Sequence, residues 1–292
     1  MNTKPKFVFF GTPHFAVIIL DQLEACGFLP DKIVTSPDKP KGRHLVLTPP
    51  PVKEWAVKRG IEVFQPKSLK DFEIDGDYEI FILAAYGKLV PKRILNIPKY
   101  GILNVHPSLL PHLRGPSPIQ SAILEGAKET GVSIMLLDEE MDHGPILKTE
   151  KINSENLSYS ELEEKLGEVG GKILCESIPS YINGEIEPKQ QDHGAATYCK
   201  KIDKKDGFIE SEIITSDNVS REKIIEAERK VRALNPDPGT FTILNIRDKE
   251  MRVKITKAKI ENDRFIPEKV TPEGKKEMGW EDFLRGNKIP LQ

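Results

Sequence analysis

At 292 residues, with 38% apolar and 30% charged side chains and a formal net charge of −2, the chain has the make-up of a folded globular protein, long enough for two domains. It holds no apolar run approaching the roughly 20 residues of a membrane-spanning helix, and Met1 to Lys6 is too short and polar for a signal peptide, so a cytoplasmic location is expected. Cys26, Cys175 and Cys199 show no C-x-x-C spacing and predict neither a disulfide framework nor a zinc knuckle.

Phe7 to Phe10 predicts a strand, Gly11-Thr12-Pro13 a tight turn, and the apolar periodicity of Phe15 to Leu23 a helix. Further strands are expected at Lys32 to Thr35, Ile80 to Ala84 and Ile102 to His106, with helix-like stretches such as Val52 to Arg59 between them. This alternation implies βαβ units and a doubly wound, mostly parallel α/β sheet. A long helix is expected from Ser158 to Ile182, with Pro179 able to kink it or end it early. Irregular sequence from residue 188 to 203 reads as a linker between a first domain, 1–187, and a second, 204–292. The second domain has a charged helix at Ser220 to Leu234 and strand-like runs at Thr240 to Ile246 and Met251 to Ile260, which suggest a small, OB-like β-barrel.

In the strand Ile102 to His106 the period of two places Asn104 and His106 on one face, at the carboxyl edge of the sheet where open α/β folds set their ligand crevice. The loop Ser108 to Pro116 that follows is too apolar and proline-punctuated for ordinary linker; Ser117 can cap a helix with Pro118 in its first turn. Downstream, Asp142 precedes a Gly-Pro turn and could face His106. An Asn, His and Asp set without a partnered Ser or Cys suits direct attack of an amine on an activated acyl carbon rather than an acyl-enzyme route. Asn104 and His106 would stabilise the oxyanion, while Asp142 would hold the imidazole tautomer and help move the proton. The spacings of His106, His112, His143 and Asp142 match no familiar metal motif, and Gly11-Thr-Pro lacks the further glycines of a dinucleotide fingerprint.

The run Asn104-Val-His-Pro-Ser-Leu-Leu-Pro111, with Gly115-Pro116 and Met141-Asp-His-Gly-Pro145, resembles the folate-dependent formyltransferases. Within them, Phe9-Phe-Gly-Thr-Pro13, Pro37-Asp-Lys-Pro-Lys-Gly-Arg43, Thr48-Pro-Pro-Pro-Val-Lys53, Gly131-Val-Ser-Ile134 and Arg232-Ala-Leu-Asn-Pro236 are similar to the branch that acts on methionyl-tRNA. The resemblance implies a formyltransferase-type, Rossmann-like fold that moves a formyl group from 10-formyltetrahydrofolate to the α-amine of initiator methionyl-tRNA. It implies that Asn104, His106 and Asp142 are catalytic. Folate would be bound by Tyr86, Gly87, Leu89, Val90 and Pro91 with Ser108, Leu109, Leu110 and Pro111. Lys39, Lys41 and Arg43, in a loop inserted after the second strand, would grip the acceptor stem, and the second domain would add backbone contacts from Arg252, Lys254, Lys257 and Lys259. No metal and no membrane are expected, and the protein is expected to act as a monomer. The chain departs from the family pattern at His44-Leu45-Val46, where Lys or Gln often follows, and at Asp237, where an aromatic residue is common. Alternatives are a formyltransferase for a nucleotide-linked amino sugar, a formylfolate hydrolase, and an RNA-binding protein with a relict α/β domain.

Overall fold

The computed structural model describes residues 4–42, 45–246 and 249–287. In chain order the first elements are β1 (Phe7–Gly11), α1 (His14–Ala25), β2 (Lys32–Val34), β3 (Lys39–Lys41), β4 (Val46–Thr48), α2 (Pro51–Val57), β5 (Glu62–Phe64) and β6 (Ile80–Ala84). They are followed by α3 (Lys92–Leu95), β7 (Ile102–His106), α4 (Pro118–Glu125), β8 (Glu129–Leu136), β9 (Ile146–Asn153) and α5 (Tyr159–Ile182). After these come α6 (Glu212–Thr215), α7 (Arg221–Leu234), β10 (Thr240–Ile246), β11 (Lys249–Glu261), β12 (Arg264–Pro272), β13 (Met278–Gly279) and α8 (Trp280–Gly286). The chain divides into two units, one made of residues up to Pro118, Glu129–Asn153 and Glu163–Cys199, the other of Ile119–Lys128, Ser154–Leu162 and the chain from Lys200 onward.

A seven-stranded sheet in the order β5-β2-β1-β6-β7-β8-β9 builds the first unit. The five strands β5, β2, β1, β6 and β7 are mutually parallel, and β8 and β9 continue the sheet antiparallel. Its three central strands β1, β6 and β7 are buried along their whole length, which is why each reads as an unbroken apolar run apart from Asn104 and His106. One core cluster gathers Val8, Phe10, Val34, Phe81, Leu83, Tyr86 and Ile102. Against β7 and β8 lies α5, where Gly170 sits so close that an added Cβ would come within 2.9 Å of Val105 and 3.0 Å of Val132. Pro179 does not end α5, which runs one further turn to Ile182; only the helix's final turn follows the proline.

In the second unit an antiparallel sheet in the order β10-β11-β12-β13 buries Leu244, Ile246, Val253, Ile255, Phe265 and Val270 against Ile224, Ala227 and Val231 of α7 and Trp280 and Phe283 of α8. Among the described residues no helix is long and apolar enough to cross a membrane.

At Gly131 in β8 the neighbouring strand and the site loop both press on the backbone: a Cβ there would lie 2.2 Å from the Glu150 carbonyl oxygen on β9 and 2.5 Å from the Leu109 side chain. Because the first neighbour is backbone, the strain cannot be relieved by a rotamer change. Gly131→Ala is expected to cost about 1–3 kcal/mol, the usual toll of overpacking, seen as a lower midpoint in thermal melting with the far-UV dichroism of the native state retained.

Candidate active site

Strand β7 ends at the site. Its residues alternate, Leu103 and Val105 toward one face of the sheet and Ile102, Asn104 and His106 toward the other. Asn104 and His106 are each only 5% exposed, so both must find partners inside the protein. The Asn104 Nδ2 lies 3.5 Å from Asp142 Oδ1, and the His106 Nδ1 lies 3.6 Å from the same oxygen. Residues 104, 106 and 142, taken from two parts of the sequence, therefore meet around one carboxylate oxygen.

The loop after β7 fixes this meeting. His106 Nε2 donates to the Leu113 carbonyl oxygen at 2.9 Å; a carbonyl can only accept, so one imidazole proton is held on Nε2 and Nδ1 is the nitrogen facing Asp142. The imidazole tautomer is set by Leu113, not by Asp142 as the sequence suggested. Two residues on, the Gly115 N–H donates to Asp142 Oδ2 at 2.8 Å. Gly115 has φ +117°, and a Cβ there would come within 2.5 Å of the Cys199 carbonyl oxygen, so no other residue could present that N–H without displacing backbone. Asp142 itself is in the left-handed region, φ 51°, which turns its carboxylate inward while the chain reverses from β8 into β9.

A second layer of hydrogen bonds holds the loop. Ser133, opposite His106 in the β7–β8 pairing and fully buried, donates from Oγ to the Ser108 carbonyl at 2.7 Å and accepts from the Leu110 N–H at 3.1 Å. Thr197 receives the Leu113 N–H on its hydroxyl at 2.9 Å and the Arg114 N–H on its carbonyl at 2.9 Å. Arg114, 2% exposed, donates from Nε and Nη2 to Gln191 Oε1 at 3.1 and 2.7 Å, from Nη2 to His193 Nδ1 at 3.0 Å and from Nη1 to the Tyr198 hydroxyl at 3.3 Å. Gln191, Thr197 and Tyr198 fall in the 188–203 stretch expected to be a linker; here they are part of the site's scaffold. Ser133, Arg114, Gln191 and Thr197 are not singled out by the sequence; Ser133 falls inside the Gly131-Val-Ser-Ile134 motif and Arg114 inside the Ser108–Pro116 loop, while Gln191 and Thr197 carry no signal. The His193 ring stacks on His143 at 4.0 Å, and His143 Nδ1 pairs with Asp138 at 2.6 Å.

Of the residues expected to bind folate, Tyr86 to Pro91 leave the end of β6 and Ser108 to Pro111 leave the end of β7. These strands are parallel neighbours with Leu83 opposite Asn104, so both segments emerge at the same edge of the sheet. Ser108 and Leu110 are buried and Leu109 and Pro111 half-buried; Gly87 and Leu89 are exposed, and Val90 and Pro91 half-buried. Tyr86 is a core residue: its ring meets Phe10 edge-on at 5.6 Å, and its hydroxyl is buried without a partner. Burial pushes its phenol up to about 12. Lys88, passed over in the sequence, donates to the Pro66 carbonyl at 2.7 Å; burial and the charge of Lys39 lower its pKa.

Lys39 and Lys41 stand exposed on β3, in a hairpin with β4 whose Leu45, Val46 and Leu47 are also exposed. The stem leading into it is tied by Asp38, whose carboxyl is held below the usual range by hydrogen bonds from Lys53 and Gln65. Arg43 lies outside the described residues. In the second unit Arg252, Lys254, Lys257 and Lys259 are all exposed on β11, while Val253 and Ile255 between them are buried. A β-bulge between Ile255 and Ala258 shifts the register, which keeps 257 and 259 on the outward face with 252 and 254. Lys257 and Lys259 pair with Glu268 and Glu261, and Arg252 lies over the Phe241 ring at 3.6 Å. Among the described residues no group of three His, Cys, Asp or Glu converges as a metal site would. Burial pushes the Cys199 thiol up, leaving it protonated and a poor nucleophile.

A family model described as formyl transferase matches residues 5–178. The methionyl-tRNA formyltransferase of Bacillus licheniformis is 36% identical over 96% of this chain and 95% of its own length. Two solved structures share the fold: the methionyl-tRNA formyltransferase from Clostridium thermocellum, at TM-score 0.57 and 17% identity over 92% of this chain and 98% of that one, and an N-formyltransferase from Helicobacter canadensis crystallised with folinic acid and dTDP-3-aminofucose, at TM-score 0.62 and 19% identity over 88% of each.

Tyr86 gives this site a pH signature. A phenol whose folded pKa is raised binds its proton more tightly in the folded state, so stability is retained below the ordinary tyrosine value near 10 and lost as pH climbs through about 12. Tyr86→Phe removes an unpartnered buried hydroxyl. We expect it to melt no lower than the parent at pH 7 and to lose less stability between pH 10 and 12, measured by urea unfolding at a series of pH values.

Proposed function

Because this chain belongs to the formyl transferase family, in its methionyl-tRNA formyltransferase branch, we propose that it transfers the formyl group of 10-formyltetrahydrofolate to the α-amine of methionyl initiator tRNA. The observation that carries the chemistry is the meeting of Asn104, His106 and Asp142 around one carboxylate oxygen at the end of β7. As the neutral amine adds to the formyl carbon, the formyl oxygen becomes an anion. Asn104 has two N–H donors and gives one to Asp142, so the second is available to that oxygen. With Nε2 engaged by Leu113, His106 can exchange a proton only at Nδ1, the nitrogen beside Asp142. His106 and Asp142 thus form one proton-holding unit: the proton leaves the incoming amine as its C–N bond forms and is returned to the folate nitrogen as the old C–N bond breaks. A charged imidazole in that unit adds to the stabilisation of the oxyanion.

The folate would lie between the segments Tyr86–Pro91 and Ser108–Pro111, which flank Asn104 at the sheet edge. Residues 1–187 would form the catalytic domain, 188–203 the connection, and 204–292 an OB-like barrel of which β10 to β13 are the wall. Lys39, Lys41 and Arg43 would meet the acceptor stem. Arg252, Lys254, Lys257 and Lys259 would follow phosphates on the outward face of β11, acting without sequence readout. The protein would work as a cytoplasmic monomer. A sugar-nucleotide acceptor has less in its favour, since the likeness to the sugar enzyme's structure rests on fold at 19% identity.

Formyl incorporation into initiator and elongator methionyl-tRNA, compared side by side, tests the reading; no incorporation at saturating donor rejects it. Asn104→Ala and His106→Ala are each expected to lower kcat by about 10² to 10³ while the proteins stay folded. For the β11 face, Lys254→Ala should weaken tRNA binding and reduce the slope of log K against log salt by about one; an unchanged slope in filter binding removes Lys254 from the phosphate contacts.

A further inference from the structure

We propose that Gln191 is a positioning residue for the transfer, the side chain that sets where Asp142 stands relative to Asn104 and His106. The inference rests on the formyl-transfer reading above. A primary amide can make four hydrogen bonds, two as donor and two as acceptor. Gln191, 6% exposed, makes all four inside the protein. Its Nε2 donates to the Asp142 carbonyl at 3.0 Å and to the Gly144 carbonyl at 2.7 Å, gripping the left-handed turn that carries the carboxylate. Its Oε1 accepts both the Nε and the Nη2 of Arg114. Arg114 lies between Leu113, which holds His106, and Gly115, which holds Asp142. Gln191 therefore ties the loop after β7 to the turn after β8, the two segments that deliver the imidazole and the carboxylate. With its bonding capacity full, it has none left for a substrate, and its influence on the reaction passes through the two segments it holds, the Asp142 turn by its donors and the Arg114 stretch by its acceptor.

The Asp142 oxygen stands 3.5 and 3.6 Å from its two neighbours, at the outer limit of hydrogen bonding. Such contacts are sensitive to small displacements, and a misplacement of about 1 Å from outside the reacting atoms can cost roughly 10²-fold in rate. The neutral partners of Arg114 matter too. Gln191, His193 and Tyr198 leave its guanidinium without a carboxylate among the contacts it makes, so Asp142 is not drawn into an ion pair with it.

Gln191→Glu separates the two halves of the clamp: it keeps acceptors for Arg114, now as a charged pair, and removes both donors to the Asp142 turn. Wild type, Gln191→Glu, Asp142→Asn and the double variant are compared in steady-state formylation of methionyl-tRNA, alongside thermal melting. We expect Gln191→Glu to remain folded and to lose about 10- to 100-fold in kcat with KM for donor and tRNA changed by less than about two-fold. In the Asp142→Asn background the same change should cost less than about two-fold, because residues acting as a unit are not additive. If Gln191→Glu fails to fold, the paired Arg114→Met/Gln191→Met variant removes the buried charge and its acceptor together, and the same kinetic pattern is required of it. A folded variant with wild-type kcat, or one that repeats its full loss without Asp142, overturns the assignment while wild-type formylation stands. A wild type that formylates nothing takes down the functional reading as well.

Discussion

A half-buried carboxylate and the buried imidazole beside it must each be hydrogen-bonded, or the cost of drawing them out of water falls on the whole fold. In this chain both bonds come from one three-residue stretch. The Leu113 carbonyl accepts a hydrogen bond from His106 Nε2, and the Gly115 N–H donates one to Asp142 Oδ2. These two bonds decide which nitrogen faces the carboxylate and which carboxylate oxygen is left over for Asn104 and His106. Thr197 bonds that stretch at Leu113 and Arg114, the Arg114 side chain is buried at its centre, and Ser133 ties down the start of the same loop at Ser108 and Leu110.

Much of the architecture was legible in the sequence, and the reason is burial. Strands β1, β6 and β7 are covered on both faces and therefore appear as continuous apolar runs, broken only where Asn104 and His106 stand. Elements at the margins were harder to see. β9, an edge strand reading ILKTEKIN, is mostly exposed or half-exposed and carries no apolar alternation, and β5 is three residues long. In the second unit β12 contains prolines and charged residues that mask its strand period.

The convergence of Asn104, His106 and Asp142 was legible in the sequence, and what supports it was not. Asn104 and His106 share a face because strand geometry forces residues two apart together, and Asp142 announces itself by the Gly-Pro turn that follows. Gln191 has no such signature. It bonds Arg114 from 77 residues away and meets Asp142 and Gly144 through their carbonyls, which every residue possesses. Polar, irregular sequence between 188 and 203 reads as solvated linker by composition, yet its backbone and side chains finish the hydrogen bonding of a buried loop.

The irregularity in β11 has an implication for how this surface can vary among related chains. Arg252 and Lys254 occupy even positions, Lys257 and Lys259 odd ones, and only the extra residue near Thr256 lets both pairs look outward. Were Thr256 paired like its neighbours, with no bulge, Lys257 and Lys259 would turn toward the apolar side of the sheet, whereas loss of Thr256 itself would leave all four cations outward on an unbulged strand. Residue count and bulge are thus tied to each other: a strand of this length needs the bulge to present the four cations on one face, and a strand one residue shorter presents them without it.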